Sequence, residues 1–332
     1  MLKVYRTVGC SLEEVNLELM GEKGNWIDLV APTSTELHNV SLYTNIPMEL
    51  LLNVLDEGER PHIEFDEGLV LFIINIPVEH AKKGKPTYGV VPLGIIITEN
   101  VIITICLEPN EIMKQFRENR VRVFFTFKRT RFLLQILYRV AQLYLYYLRQ
   151  IDKKSTEIEQ ALQRSTENKE LIKLLELEKS LLYFTTSLNA NLIVLEKLLK
   201  FLEDSNGGEE KKEKILHFYP EDADLLEDVI IENRQAIHMA EIHSNILSGM
   251  MDAFASVISN NLNVVMRFLT AVTIVLSLPT MVASFYGMNV ELPFQRHPMA
   301  FWGTLMISLL LSATATYFLK KKINALIFKE VP

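Results

Sequence analysis

The chain has 332 residues, 49% of them hydrophobic, and a formal net charge of −7. The acidic balance disfavours nucleic acid as a partner and suits cations, while so high an apolar content points to membrane segments beside any soluble domain. Cys10 and Cys106 are the only cysteines, too few for a disulfide framework, so a reducing, cytosolic setting is the default for the chain ahead of its apolar C-terminal part.

Met1 to Thr7 alternates apolar and polar residues and includes Lys3 and Arg6, which reads as a strand and not as a signal peptide. Further strands are predicted at Trp26 to Val30, His62 to Phe65, Leu69 to Ile76, Val90 to Thr98 and Val101 to Leu107, with a hairpin turn at Glu99-Asn100. Helices fit between them. Pro32-Thr33-Ser34 before Glu36 marks one start, Pro47 suits the first turn of Met48 to Leu55, and Pro109 opens Asn110 to Asn119. Residues 1–130 are therefore predicted as a cytoplasmic α/β domain. No phosphate-cradling glycine loop, Gly-x-Ser-x-Gly elbow or His-Glu-x-x-His helix occurs, so no enzyme and no cofactor is predicted.

Over residues 131–204 strands give way to helical periodicity. Phe132, Ile136, Val140, Tyr147 and Ile151, then Leu174, Leu181, Leu188 and Leu195, recur among Lys and Glu, predicting a long helical hairpin that turns near Arg164 to Asn168. Ser205 to Lys212 is a polar, glycine-broken loop. Tyr219-Pro220-Glu221-Asp222 then begins a helix that only Gly249 and Pro279 interrupt before Phe285. Unbroken, it would be about 100 Å long. Its first part, residues 217–267, is predicted as a stalk. Leu226, Val229, Asn233, Ala236, Ala240 and onward to Asn261 recur every three and four residues, a heptad-like seam expected to face a symmetry axis between copies. His238, Glu241 and His243 lie close in sequence, but the histidines are five apart and off one face, so no transition-metal site is predicted there.

The 23 residues between Arg267 and Glu291 include no Asp, Glu, Lys, Arg or His. At roughly 20 residues per bilayer crossing, residues 268–286 read as a first transmembrane helix. Thr270, Thr273, Ser277, Thr280 and Ser284, with Met266 and Asn263 in the same register, form an uncharged polar stripe along one face. Hydroxyls and small residues also serve plain helix packing in lipid. Pro279 removes a backbone hydrogen bond, which a nearby hydroxyl or neighbouring helix must replace. Residues 287–299 form an external loop, residues 300–319 a second uncharged span, and residues 320–332 a basic tail. Lys320, Lys321 and Lys322 read as an interface anchor and inner basic collar. Those three and Arg267 oppose Arg296 alone in the connector, which predicts both termini in the cytoplasm of a cell-membrane protein.

Tyr286-Gly287-Met288-Asn289, closing the first of two C-terminal spans after Asn263-Val264-Val265-Met266-Arg267-Phe268-Leu269-Thr270, resembles the CorA family of divalent-cation channels. Arg60 to Glu67 leading into Leu69 to Ile76 is also similar to that family's N-terminal domain. The resemblance implies a CorA-like funnel, a homo-oligomer that is a pentamer, with Gly287, Met288 and Asn289 as selectivity filter, the polar stripe lining the pore and Glu291 at its mouth. It implies Mg²⁺, with Co²⁺ or Ni²⁺, as substrate and Mg²⁺ as regulatory ligand, and the related ZntB type makes Zn²⁺ the alternative cargo. A membrane-tethered regulatory or scaffold protein is the reading from another class. The resemblance places Asp228 at an intersubunit regulatory cation site. Its usual partner position falls on Leu52-Asn53 here, and Asp56 and Glu57 are the nearest acids. Ser277 stands where many members carry a bulky apolar residue, and Arg296 and His297 occupy a loop that is often acidic.

Overall fold

Two strands, β3 (Asn25–Val30) and β7 (Ile102–Cys106), are buried along their whole length, and they form the parallel pair of the sheet. Parallel strands need cover on both faces, and these two have it. The computed structural model describes residues 1–9, 11–66, 68–82, 85–164, 168–206, 215–289 and 298–327, in two units, Met1–Met251 and Asp252–Pro332. Around the parallel pair, β1 (Leu2–Val8), β2 (Ser11–Glu14), β4 (His62–Asp66), β5 (Leu69–Lys82) and β6 (Lys85–Thr98) complete a sheet of order β2-β1-β3-β7-β6-β5-β4, antiparallel elsewhere. The β5–β6 ladder outruns its predicted ends at Ile76 and Val90, reaching Lys82 and Lys85. Pro77 and Pro92 are accommodated in this ladder opposite Val90 and Asn75.

One face of the sheet carries α1 (Ser34–Thr44) and α2 (Met48–Asn53), where Ile27, Leu29, Leu71, Ile96 and Ile103 meet Leu37, Val40, Leu51 and Val54. Thr33 caps α1: its hydroxyl accepts from the Glu36 amide, and the Glu36 carboxylate accepts from the Thr33 amide at 2.8 Å. Gly94 lets the sheet approach the end of α2, since a Cβ there would lie 2.4 Å from a Val54 methyl. On the other face lie α3 (Glu111–Arg117), α4 (Arg129–Arg164) and α5 (Asn168–Asn206). Trp26 anchors this layer among Tyr5, Phe116, Phe124 and Phe132. Its indole donates to Thr104, whose hydroxyl donates to Asp28, and Arg117 of α3 closes the buried chain on Asp28 at 2.5 Å. α3 is shorter than the predicted Asn110 to Asn119, because Asn110 serves as its N-cap.

α6 (Pro220–Tyr286) runs unbroken, and Asp222 fixes its start. That carboxylate is fully buried, accepts from the Tyr219 amide at 2.9 Å, and pairs with Arg131 of α4 at 2.7 Å. The seam predicted on α6 to face a symmetry axis is instead covered by the chain itself from Leu226 to Leu247. Leu226, Val229, Asn233, Ala236, Ala240 and Leu247 are buried within the single chain, with Asn233 donating to the Leu188 carbonyl of α5 and His243 beside Asp152 of α4. These six side chains, covered within one chain, cannot also face a symmetry axis. A heptad pattern specifies that a face is covered, not whether the covering helix belongs to the same chain. The predicted loop at Ser205 to Lys212 falls largely outside the described residues.

Candidate ion-conducting site

In the second unit, Ala271, Val275, Leu278, Pro279 and Val282 of α6 are half-buried, and so are Thr304, Ser308, Ser312, Ala315 and Leu319 of α7 (Ala300–Ile327). Both sets follow helical spacing, and Ser312 Oγ approaches the Val275 carbonyl of α6 at 3.5 Å, so these are the faces the two helices turn to each other. Thr270, Thr273, Ser277, Thr280 and Ser284, with Asn263 and Met266, are all exposed. At about 100° per residue their mean direction lies about 160° from the α7-facing set. The hydroxyl stripe therefore does not serve the packing of α6 on α7.

Its chemistry is set by backbone geometry. Thr270 donates to the Met266 carbonyl at 2.8 Å, Thr273 to Leu269 at 2.8 Å, Ser277 to Ile274 at 2.9 Å and Thr280 to Leu276 at 3.0 Å. With each proton committed to the helix, what these side chains offer outward is oxygen lone pairs. From Thr270 to Thr280 the face is a column of acceptors without a charge.

Pro279 has no N–H to give the Val275 carbonyl, and Ser312 is the hydroxyl that reaches it. Sequence reasoning required such a partner without naming Ser312. The signal lay in its small side chain in a helical row with Thr304 and Ser308, but only the tertiary contact singles it out.

At the end of α6 the Gly287 amide donates to the Ala283 carbonyl at 2.9 Å and the Met288 amide to Phe285 at 3.3 Å, which turns the chain and leaves Met288 and Asn289 exposed. Gly287 does not adopt a left-handed φ. A Cβ there would meet the Ala283 oxygen at 3.2 Å, so close approach is what favours glycine. Lys320 and Lys321 are exposed on α7. Glu291, Arg296 and His297 lie outside the described residues, as does the side chain of Lys322.

In the first unit Asp228 is exposed on α6, and Asp56 and Glu57 are exposed in the turn after α2, where Asp56 accepts from the Gly58 amide at 2.9 Å. Among the described residues no three His, Cys, Asp or Glu side chains form a metal-binding group within the chain. His238 lies 3.7 Å from Glu241 on the surface while His243 turns toward Asp152, so the structure does not bring the two histidines together.

An α/β domain joined to long helices, with two C-terminal helices long and apolar enough to cross a bilayer, is the architecture of a protein with two candidate membrane spans. The curated cobalt/magnesium transport protein CorA of Methanocaldococcus jannaschii is 27% identical over 301 residues, covering 89% of this chain and 90% of that protein. The complete structure of the CorA magnesium transporter from the same organism superimposes with a TM-score of 0.76 at 25% identity, over 100% of this chain and 98% of that one. The fold alone is shared with the ZntB cytoplasmic domain of Vibrio parahaemolyticus, at a TM-score of 0.57 and 10% identity over 79% of this chain and 97% of that one. The chain belongs to the family of the CorA-like Mg²⁺ transporter protein, which it matches over residues 21–321.

Proposed function

We propose that this protein is a homo-oligomeric channel that passes Mg²⁺, and with it Co²⁺ or Ni²⁺, down the membrane potential. The observation that carries the reading is the orientation of the hydroxyl stripe, opposite the α7 contact and exposed in the single chain. Polar side chains facing lipid are costly, and a ring of copies turning this face inward would give them water instead. Relatives named as cobalt/magnesium transporters support the choice of cargo.

Mg²⁺ holds its water tightly, so neutral oxygens that accept hydrogen bonds from a hydrated ion suit passage better than carboxylates that would trap it. Asn289 and the Gly287 carbonyl take this role at the mouth, and Glu291 concentrates cations there. Moving a divalent ion inward across ~100 mV releases roughly 4.6 kcal/mol, so no second energy source is required. The excess of Lys and Arg flanking the spans supports cytoplasmic termini, with Lys320, Lys321 and Lys322 at the inner interface. Internal Mg²⁺ closes the pore by bridging Asp228 of one subunit to the Asp56–Glu57 turn of the next, and its loss lets like charges part the subunits.

Flux into proteoliposomes, measured for Mg²⁺, Co²⁺, Ni²⁺ and Zn²⁺ with and without a proton gradient, tests the reading. Potential-driven Mg²⁺ uptake that falls in Asn289→Ala is expected. Zn²⁺ uptake dependent on protons would favour the ZntB-type alternative, whose fold this chain shares.

A further inference from the structure

Five serine and threonine hydroxyls lie along α7, and four of them bond back to their own helix: Thr304 to Phe301, Ser308 to Thr304, Thr314 to Leu310 and Thr316 to Ser312. Ser312 is the exception, aimed across at the Val275 carbonyl of α6. That carbonyl is the one Pro279 leaves without a helical donor, since the amide four residues on is missing. In a hydrocarbon layer no water can take its place, and a carbonyl so exposed invites the helix to shift until something does.

We infer that Ser312 is a positioning residue: its hydroxyl straps α7 to the proline-freed carbonyl of α6 and so fixes the direction in which Ser277 and Thr280, on the opposite side of the same turn, present their oxygens. This rests on the transport reading above. Val275 and Pro279 are half-buried toward α7, whereas Ser277 and Thr280 are exposed. A rotation or straightening of α6 at this turn therefore moves both faces together. The strap gives the second span a task beyond anchoring, because it sets the attitude of the first.

The test is a double-substitution cycle in the full-length protein. Ser312→Ala removes the donor, while Pro279→Ala restores a backbone N–H to Val275 and makes the donor redundant. Ser312→Ala is expected to lower Mg²⁺ flux about three-fold in the Pro279 background, the size typical of one interhelical hydrogen bond in lipid. In the Pro279→Ala background it should change nothing, and Ser312→Thr should keep wild-type flux. The same cycle read by thermal melting of the detergent-solubilised protein should show the same coupling.

Additive effects in both cycles would overturn the strap and leave Ser312 as packing alone. Coupling in melting without coupling in flux, in a protein that conducts, would overturn the positioning role. A wild type that passes no divalent cation would sink the transport reading and the positioning role with it, while the melting cycle would still decide the strap.

Discussion

Asp28 is 1% exposed, and its carboxylate is tolerated because Thr104 and Arg117 surround it. Burial pushes its pKa above the ordinary carboxylate value, and the Arg117 guanidinium, only partly exposed itself, pulls it back down. The unfolded chain ionises this acid at lower pH than the folded one does, so within that interval each rise in pH favours unfolding. Arg117→Met removes the main opposing pull. It should destabilise the protein by about 3–5 kcal/mol at neutral pH, because a buried charge loses its partner. The loss should shrink as pH falls toward the raised folded-state pKa of Asp28, above the ordinary carboxylate value, because the variant, lacking the Arg117 pull, takes up the proton at higher pH than the wild type does. Melting curves of both proteins across pH check this, and a loss independent of pH would mean that Arg117 acts through packing. Sequence gave no hint of this pair, since Asp28 and Arg117 are far apart along the chain and only the approach of α3 to the sheet joins them.

At the scale of elements, α6 carries two faces in its membrane half, a packing face and an acceptor face. If the second lines a pore, loss of one oxygen per subunit weakens the path for a hydrated ion. Thr280→Val, which keeps shape and branching, should lower Mg²⁺ flux about five-fold at roughly 1 kcal/mol per lost hydrogen bond. Thr314→Val, on an exposed face of α7 away from the α6 contact, should leave it unchanged. Equal losses in the two variants would show that the stripe has no special place. Leu226 to Leu247 and Thr270 to Ser284 share one spacing rule, yet the first is covered by α4 and α5 while the second is bare. Periodicity gave the helix and its apolar or polar face correctly in both places. It could not give the neighbour, because burial against one's own chain and against a copy leave the same pattern of residues.

For the whole molecule, the proposed closing mechanism joins copies through exposed acids. Asp228, Asp56 and Glu57 are all solvated in the single chain, as an intersubunit cation site requires. Asp228→Ala should weaken shut-off by internal Mg²⁺ by about tenfold in concentration, equivalent to ~1.4 kcal/mol of lost binding. Uptake into liposomes loaded with graded Mg²⁺ measures it, and an unshifted half-closing concentration would remove Asp228 from the mechanism.

The family, the α/β start, the long C-terminal helix with its apolar end and the polar stripe were all legible in the residues, because each follows from local rules of period, capping and length that act over a few turns. What the tertiary structure decided was which faces meet. It joined Asp28 to Arg117, covered the upper seam of α6 with the chain's own helices, and set Ser312 against the carbonyl that Pro279 frees. Those outcomes depend on contacts between residues distant in sequence, and such contacts form only when whole elements pack, so no local pattern contains them.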